Sequence, residues 1–137
     1  MDDDKRIERI LRDTRTIALV GASPKPDRPS HGVMAALLRA GFQVIPVNPG
    51  LAGQTILGQT VVAALSDIKE KVDMVDVFRR AEDTPSVARE AVAIGAKSLW
   101  LQLGIVNEEA AGIAAAAGMN VVMDRCTAIE IRRLLER

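Results

Sequence analysis

At 137 residues the chain is short enough for one domain, and its 48% hydrophobic content supplies a core. Eighteen Lys and Arg against eighteen Asp and Glu leave no formal net charge, which excludes the basic footprint of a nucleic-acid binder or an anionic-membrane binder. One Trp, two Phe and no Tyr give no base-stacking platform, a single Cys allows no internal disulfide, and one His beside one Cys leaves too few ligands for zinc or copper.

Residues 1–14 read as an amphipathic helix with Ile7, Ile10 and Leu11 on one face, packed on a domain that spans 15–137. No run approaches the ~20 apolar residues of a membrane span, and Met1-Asp2-Asp3-Asp4-Lys5 does not read as a signal peptide. With cysteine so scarce, the expected compartment is the reducing cytoplasm.

Residues 16–20 are an apolar run that breaks at Gly21. The turn Gly21-Ala22-Ser23 leads into a Pro-rich loop with two cations, Lys25 and Arg28, and Ser30 is placed to cap a helix that Gly41 stops. A strand that turns at small residues into a helix N-terminus is an anion site, because free N–H groups and the helix dipole both favour phosphate. The glycine spacing matches neither the dinucleotide fingerprint nor the Walker A loop.

A second apolar run, 42–47, ends in Val47-Asn48-Pro49. NAD-binding proteins usually place an acid at that point for the ribose hydroxyls, whereas Asn48 offers an amide and Pro49 a rigid turn. A third run, 74–78, ends in Phe78-Arg79-Arg80: an aromatic that can stack on adenine, or pack in the core, and guanidinium forks that fit phosphate, or stay solvated. Thr84 is placed to cap the next helix, with Pro85 at its first helical position, and Gly95 ends it.

The fourth run, 97–101, delivers Gln102 and Gly104 to its carboxyl end, where Gln102 can bond a ligand amide and Gly104 permits close backbone approach. Asn107 opens a further helix that Gly118 closes. The last strand, 120–123, runs into Asp124-Arg125-Cys126, and Thr127 with Glu130 reads as a capping box for the final helix. Cys126 beside Arg125 at a helix start has the setting of a redox thiol, and also that of a small buried residue.

Continuous apolar strands alternating with helices predict an α/β, Rossmann-like, doubly wound parallel sheet of about five strands with helices on both faces. The expected order is 3-2-1-4-5. Ligands in such sheets bind outside the carboxyl ends of the strands, so 21–29, 48–53, 79–83, 102–106 and 124–127 are the candidate segments.

Taken together, Val20-Gly21-Ala22-Ser23-Pro24-Lys25-Pro26, Arg28-Pro29-Ser30, Val47-Asn48-Pro49, Asp76-Val77-Phe78-Arg79-Arg80, Lys97 with Trp100-Leu101-Gln102-Leu103-Gly104, and Met123-Asp124-Arg125-Cys126 resemble the small CoA-binding-domain proteins. These are single-domain relatives of the N-terminal CoA-binding domain of the succinyl-CoA synthetase alpha subunit. The resemblance is collinear from about residue 5 to 135. It implies a Rossmann-like fold that binds coenzyme A. Gly21, Ala22, Ser23 and Lys25 would face the ADP phosphates with Arg28 nearby. Val47, Asn48 and Pro49 would flank adenosine, Phe78 and Arg79 would line the nucleotide side, and Gln102 and Gly104 the pantetheine side. Two positions depart from the family: His31 stands where an aromatic is often found, and Ile131 where a His often follows the last-motif Glu.

The larger synthetases carry a phosphorylated catalytic His in a separate domain to which nothing here corresponds. The leading expectation is therefore a CoA or acyl-CoA binding carrier, sensor or regulatory module, with no catalytic residue and no metal. An NAD(P)-binding oxidoreductase and a CoA-dependent enzyme subunit completed by a partner chain are the alternatives. A homodimer is compatible with the small size and apolar content.

Overall fold

The structure, a computed structural model, describes residues 2–136. Helix α1 (Asp2–Arg12) precedes β1 (Thr16–Val20), α2 (Pro29–Arg39) and β2 (Gln43–Val47). A hairpin of β3 (Thr55–Ile56) and β4 (Gln59–Thr60) follows. The chain then alternates through β5 (Met74–Val77), α3 (Thr84–Ala93), β6 (Ser98–Leu101), α4 (Glu108–Ala116), β7 (Asn120–Val122) and α5 (Thr127–Leu134). The main sheet is wholly parallel, in the order β2-β1-β5-β6-β7. The expected Rossmann-like α/β sheet of five strands is present.

Side chains alternate across a strand, so each buried strand residue serves one of two cores. Ile17, Leu19, Met74 and Trp100 face α1, α2 and α5, where Ile7, Leu11, Met34, Leu37 and Ile131 complete one core. Ala18, Val20, Val75, Val77, Leu99 and Leu101 face α3 and α4, whose Val87, Ala88, Ala91, Ala110 and Ala114 complete the other. No helix among the described residues is long and apolar enough to cross a membrane.

The strand order corrects the expected 3-2-1-4-5. The third parallel strand, β5, pairs with β1 on the side away from β2, so β2 is an edge. Segment 48–62 covers that edge: Val62 N–H donates to Pro46 O at 3.0 Å and Asn48 N–H to Val62 O at 2.9 Å. Pro46 is the reason this works. Its carbonyl faces outward and its missing N–H lies on the same side, so a full parallel strand there would lose a ladder bond. The hairpin itself went unforeseen because its turn is Leu57-Gly58. Both residues have positive φ (50° and 80°), a conformation usually signalled by Asn-Gly or Asp-Gly.

Three expected caps also differ. Arg28, in extended conformation, precedes α2, and Ser30 lies inside the helix and buried; Pro29, with its preset φ and no N–H, takes the first helical position. Thr84 is likewise helical rather than capping, because a 3-10 turn over Ala81–Asp83 runs directly into α3 and the Thr84 hydroxyl donates back to Ala81 O at 2.7 Å. Thr127 forms no capping box with Glu130, since the cap position is Cys126 and the Thr127 hydroxyl is used elsewhere. Asn107 does cap α4, its Oδ1 accepting from Ala110 N–H at 2.8 Å.

Candidate functional site

The chain leaves β1 for one side of the sheet and returns to the other, so the carboxyl ends of β1 and β5 diverge and leave a crevice between their loops. A cleft of about 900 Å3 opens there. Gly21 forms its floor. With φ of 89°, it lies so close to Phe78 that a Cβ would collide with the Phe78 carbonyl oxygen. Only glycine fits, for conformation and for space.

The N–H groups of Gly21 and Ala22 both point at Val47 O, at 3.1 and 3.3 Å, so neither is open to an anion. Val47 thus holds the first loop by its carbonyl and stays buried behind the cleft. Asn48 works the same way. Its Nδ2 donates to Ala22 O at 2.8 Å and its Oδ1 accepts from Gly50 N–H at 2.9 Å, so the whole amide latches the first loop to the second. Ser23 Oγ accepts from Lys25 N–H at 3.2 Å, a local turn that presents the lysine.

Four cations border the cleft: Lys25, Arg28, Arg79 and Arg80. Lys25 and Arg28 are exposed and make no side-chain hydrogen bond or ion pair among the described residues. Arg79 and Arg80 share the Asp83 carboxylate at 3.3 and 3.4 Å. Among the described residues, no Asp or Glu lines the cleft. In a chain of zero net charge, such segregation creates a local positive field. No side chain caps α2, whose N-terminus opens beside Arg28. Val33, Leu51, Phe78, Leu103 and Ile105 supply apolar walls.

At the deep end sits a buried polar cluster. Asp76, mid-strand on β5, is fully buried and registers between Leu19 and Trp100. Gln102 Nε2 donates to Asp76 Oδ1 at 2.6 Å and to Thr127 Oγ1 at 3.0 Å, and Thr127 Oγ1 donates to Asp76 Oδ2 at 2.9 Å. Burial pushes the Asp76 carboxyl up to about 7, against the opposing pull of those two hydrogen bonds. In the sequence Asp76 stands inside an apolar run and at the head of the motif Asp76-Val77-Phe78-Arg79-Arg80, with no role of its own assigned. The available signal was the alternation itself, which puts residues 100 and 102 on one face.

Cys126 is buried and borders the cleft next to Gln102. Its neighbour Arg125 is committed to Asp3 at 3.2 Å and Glu130 at 3.6 Å. Of the sequence candidates, the cleft gathers Gly21, Ala22, Ser23, Lys25, Arg28, Asn48, Phe78, Arg79, Gln102 and Cys126. Val47, Pro49 and Gly104 lie outside its lining. Pro49 opens an exposed 3-10 turn, leaving Gly50 and Leu51 to reach the cleft. The Gly104 N–H is occupied by Asp124 Oδ1 at 2.7 Å, a contact for which Asp124 adopts a φ of 59°.

Sheet order and cleft define a Rossmann-like domain with a cation-bordered, partly apolar cleft at the carboxyl ends of its strands. The model of the CoA binding domain family matches residues 15–132, and the chain belongs to that family. It is 43% identical over 120 residues to the uncharacterized protein YneT of Bacillus subtilis (strain 168), covering 88% of this chain and 87% of that one. It is similar in structure to cell-free ID.343 from Thermus thermophilus, with a TM-score of 0.92, 39% identity, and coverage of 96% and 98% of the two chains. It also resembles part of the dinucleotide-forming acetyl-coenzyme A synthetase 1 of Ca. Korarchaeum cryptofilum in complex with phosphate and ADP. There the TM-score is 0.70 with 26% identity, over 88% of this chain and 27% of the synthetase.

Proposed function

We propose that the chain is a coenzyme A or acyl-CoA binding module that acts as a carrier, sensor or regulatory subunit rather than as an enzyme. The observation that carries this reading is the charge segregation in the cleft: Lys25, Arg28, Arg79 and Arg80 border it beside apolar walls, no carboxylate is among the described lining residues, and Asp83, which Arg79 and Arg80 share, lies outside that lining. CoA has that same division, with phosphates at one end and an uncharged pantetheine arm at the other. In this reading Lys25, Arg28 and Arg79 hold the phosphates, Phe78 packs on the nucleotide, and Gln102 lies toward the pantetheine arm.

The non-catalytic part rests on what borders the cleft. No carboxylate and no His, the side chains most used for general acid–base work, is among the described lining residues. A second reading, a CoA-dependent subunit completed by a partner, draws on the similarity to about a quarter of a synthetase chain. The test is mass spectrometry of the small molecule that co-purifies with native protein, with a pull-down alongside. CoA or an acyl-CoA on an unaccompanied chain supports the module. A stoichiometric protein partner supports the second reading, and a co-purifying NAD(P) overturns both.

A further inference from the structure

Resting on the CoA reading, what the deep end of the cleft selects turns on Gln102. Gln102 is 4% exposed, and both its hydrogen-bond donors are spent on Asp76 and Thr127. Its Oε1 has no partner among the described residues. Yet among the described residues no fully buried side-chain polar atom is left unpaired, so Oε1 must reach open space. The open space that Gln102 borders is the cleft. A side-chain carbonyl, almost wholly buried, is therefore aimed into the cleft with an unused acceptor.

An amide head can turn over, which would exchange an acceptor for two donors at the same place. Here it cannot turn freely. Asp76 presents only acceptors when ionised, with Oδ2 filled by the Thr127 hydroxyl and Oδ1 by Gln102 Nε2. Turning Gln102 would set its carbonyl against the Asp76 carboxylate in a dry interior, where unpaired polar groups are most costly. A carboxylate in the middle of a central strand is itself expensive to bury, and an aliphatic residue would stabilise the sheet better. Alternation along β5 and β6 brings Asp76 and Gln102 to the same face, and the start of α5 adds Thr127.

We propose that Asp76 is a positioning residue: with Thr127 it locks Gln102 so that Oε1 faces the cleft, and the deep end thereby selects a ligand carrying an N–H donor, an amide of the pantetheine arm. Asp76 touches no ligand in this scheme. It decides which end of the Gln102 amide does.

Calorimetric titrations with CoA and with ADP, which lacks the pantetheine arm, test this at about pH 8, where carboxylates are ionised. The variants are Asp76→Asn and the double exchange Asp76→Asn with Gln102→Glu. The first frees the Gln102 amide to turn. The second swaps carboxylate and amide between the two positions, so that position 102 again shows an acceptor to the cleft while its inner oxygen accepts from position 76. Asp76→Asn is expected to weaken CoA about tenfold, the loss of one well-made hydrogen bond, with ADP unchanged. The double exchange should recover most of that loss. Parent-like CoA binding in Asp76→Asn, or equal weakening of CoA and ADP, would overturn the proposal, the latter by showing a purely structural tie. Should Asp76→Asn not fold, the double exchange decides alone: parent-like CoA affinity supports the lock, and lost CoA affinity with ADP retained contradicts it. A parent protein that binds CoA no more tightly than ADP would instead refute the CoA reading.

Discussion

Arg28 and Arg79 differ in what they now hold, and that difference orders their expected effects. Arg28 has no partner among the described residues, whereas Arg79 shares Asp83 with Arg80. Charge-assisted bonds to phosphate contribute roughly 1.5–3 kcal/mol each. Arg28→Ala should weaken CoA by about tenfold or more and flatten the salt dependence of binding. Arg79→Ala should do less, because a ligand phosphate must first draw that guanidinium from Asp83. Arg89, paired on the surface with Glu109 at 3.9 Å and away from the cleft, serves as the control. Calorimetry at two salt concentrations checks the ranking; two variants that bind like the parent would remove the first and third loops from the phosphate site. Asp76 adds a pH dependence. Its folded carboxyl is raised from 3.8 to about 7, so between those values the folded protein keeps a proton that the unfolded chain has released. Its contribution is complete below the unfolded value and is lost as pH rises toward 7, at most about 4 kcal/mol over the three-unit window. Asp73 acts oppositely and lower down. Burial raises it, but N–H groups of Thr16 and Arg15 and the charges of Lys97 and Lys71 outweigh that and hold it below 3.8. Urea midpoints should therefore fall from about pH 4.5 to 7.5 in the parent more steeply than in Asp76→Asn. Equal slopes would contradict the assigned burial effect. Cys126 carries a chemical test. A Cys126 thiolate attacking CoA disulfide forms a protein–CoA disulfide and releases one CoA thiolate. Intact mass should show one reductant-sensitive CoA, absent from Cys126→Ser; no adduct would make Cys126 a packing residue.

Between elements, the two loops flanking the cleft depend on one side chain. Asn48 joins Ala22 to Gly50, so Asn48→Ala removes both bonds and leaves the Ala22 carbonyl without that partner. A loss of about 1–3 kcal/mol is expected from urea unfolding, with CoA binding weakened through loop disorder rather than a lost contact. Asn48→Asp tests the distinction, since it keeps the Gly50 bond and loses the donor to Ala22. Unchanged stability in Asn48→Ala would show that the latch holds nothing. This is also the level at which the sequence was least legible. Asn48 reads as a ligand group because it stands where other folds place an acid, but its use as a latch depends on a loop 26 residues away. Ser30 and Thr127 have good capping chemistry, yet Pro29 displaced the one and a buried carboxylate recruited the other. Asn107 kept its expected role because capping needs only the next three residues. Pro46 carried the clue to the edge strand, visible once a proline inside an apolar run is treated as a missing donor.

For the molecule as a whole, most of the architecture was legible because it is written in long-range repetition. Five apolar runs, four of them followed by a helix, admit little besides a parallel sheet covered on both faces, and the loops that follow the runs must gather at one edge. What repetition could not fix was which neighbour β5 chose, and hence where the switch point fell. The site falls at the same place in either order, because both bring the first loop to a crevice. The central claim is that this cleft recognises CoA by combining four cations with an apolar arm site. Thermal unfolding of the native protein with CoA, NAD⁺, NADP⁺ or no ligand tests it most directly. A ligand present at a hundredfold excess over its dissociation constant stabilises the folded state by ~2.7 kcal/mol. The account predicts a clear rise in Tm with CoA and a smaller one, or none, with either dinucleotide. A rise with NAD⁺ or NADP⁺ equal to or above that with CoA would contradict it.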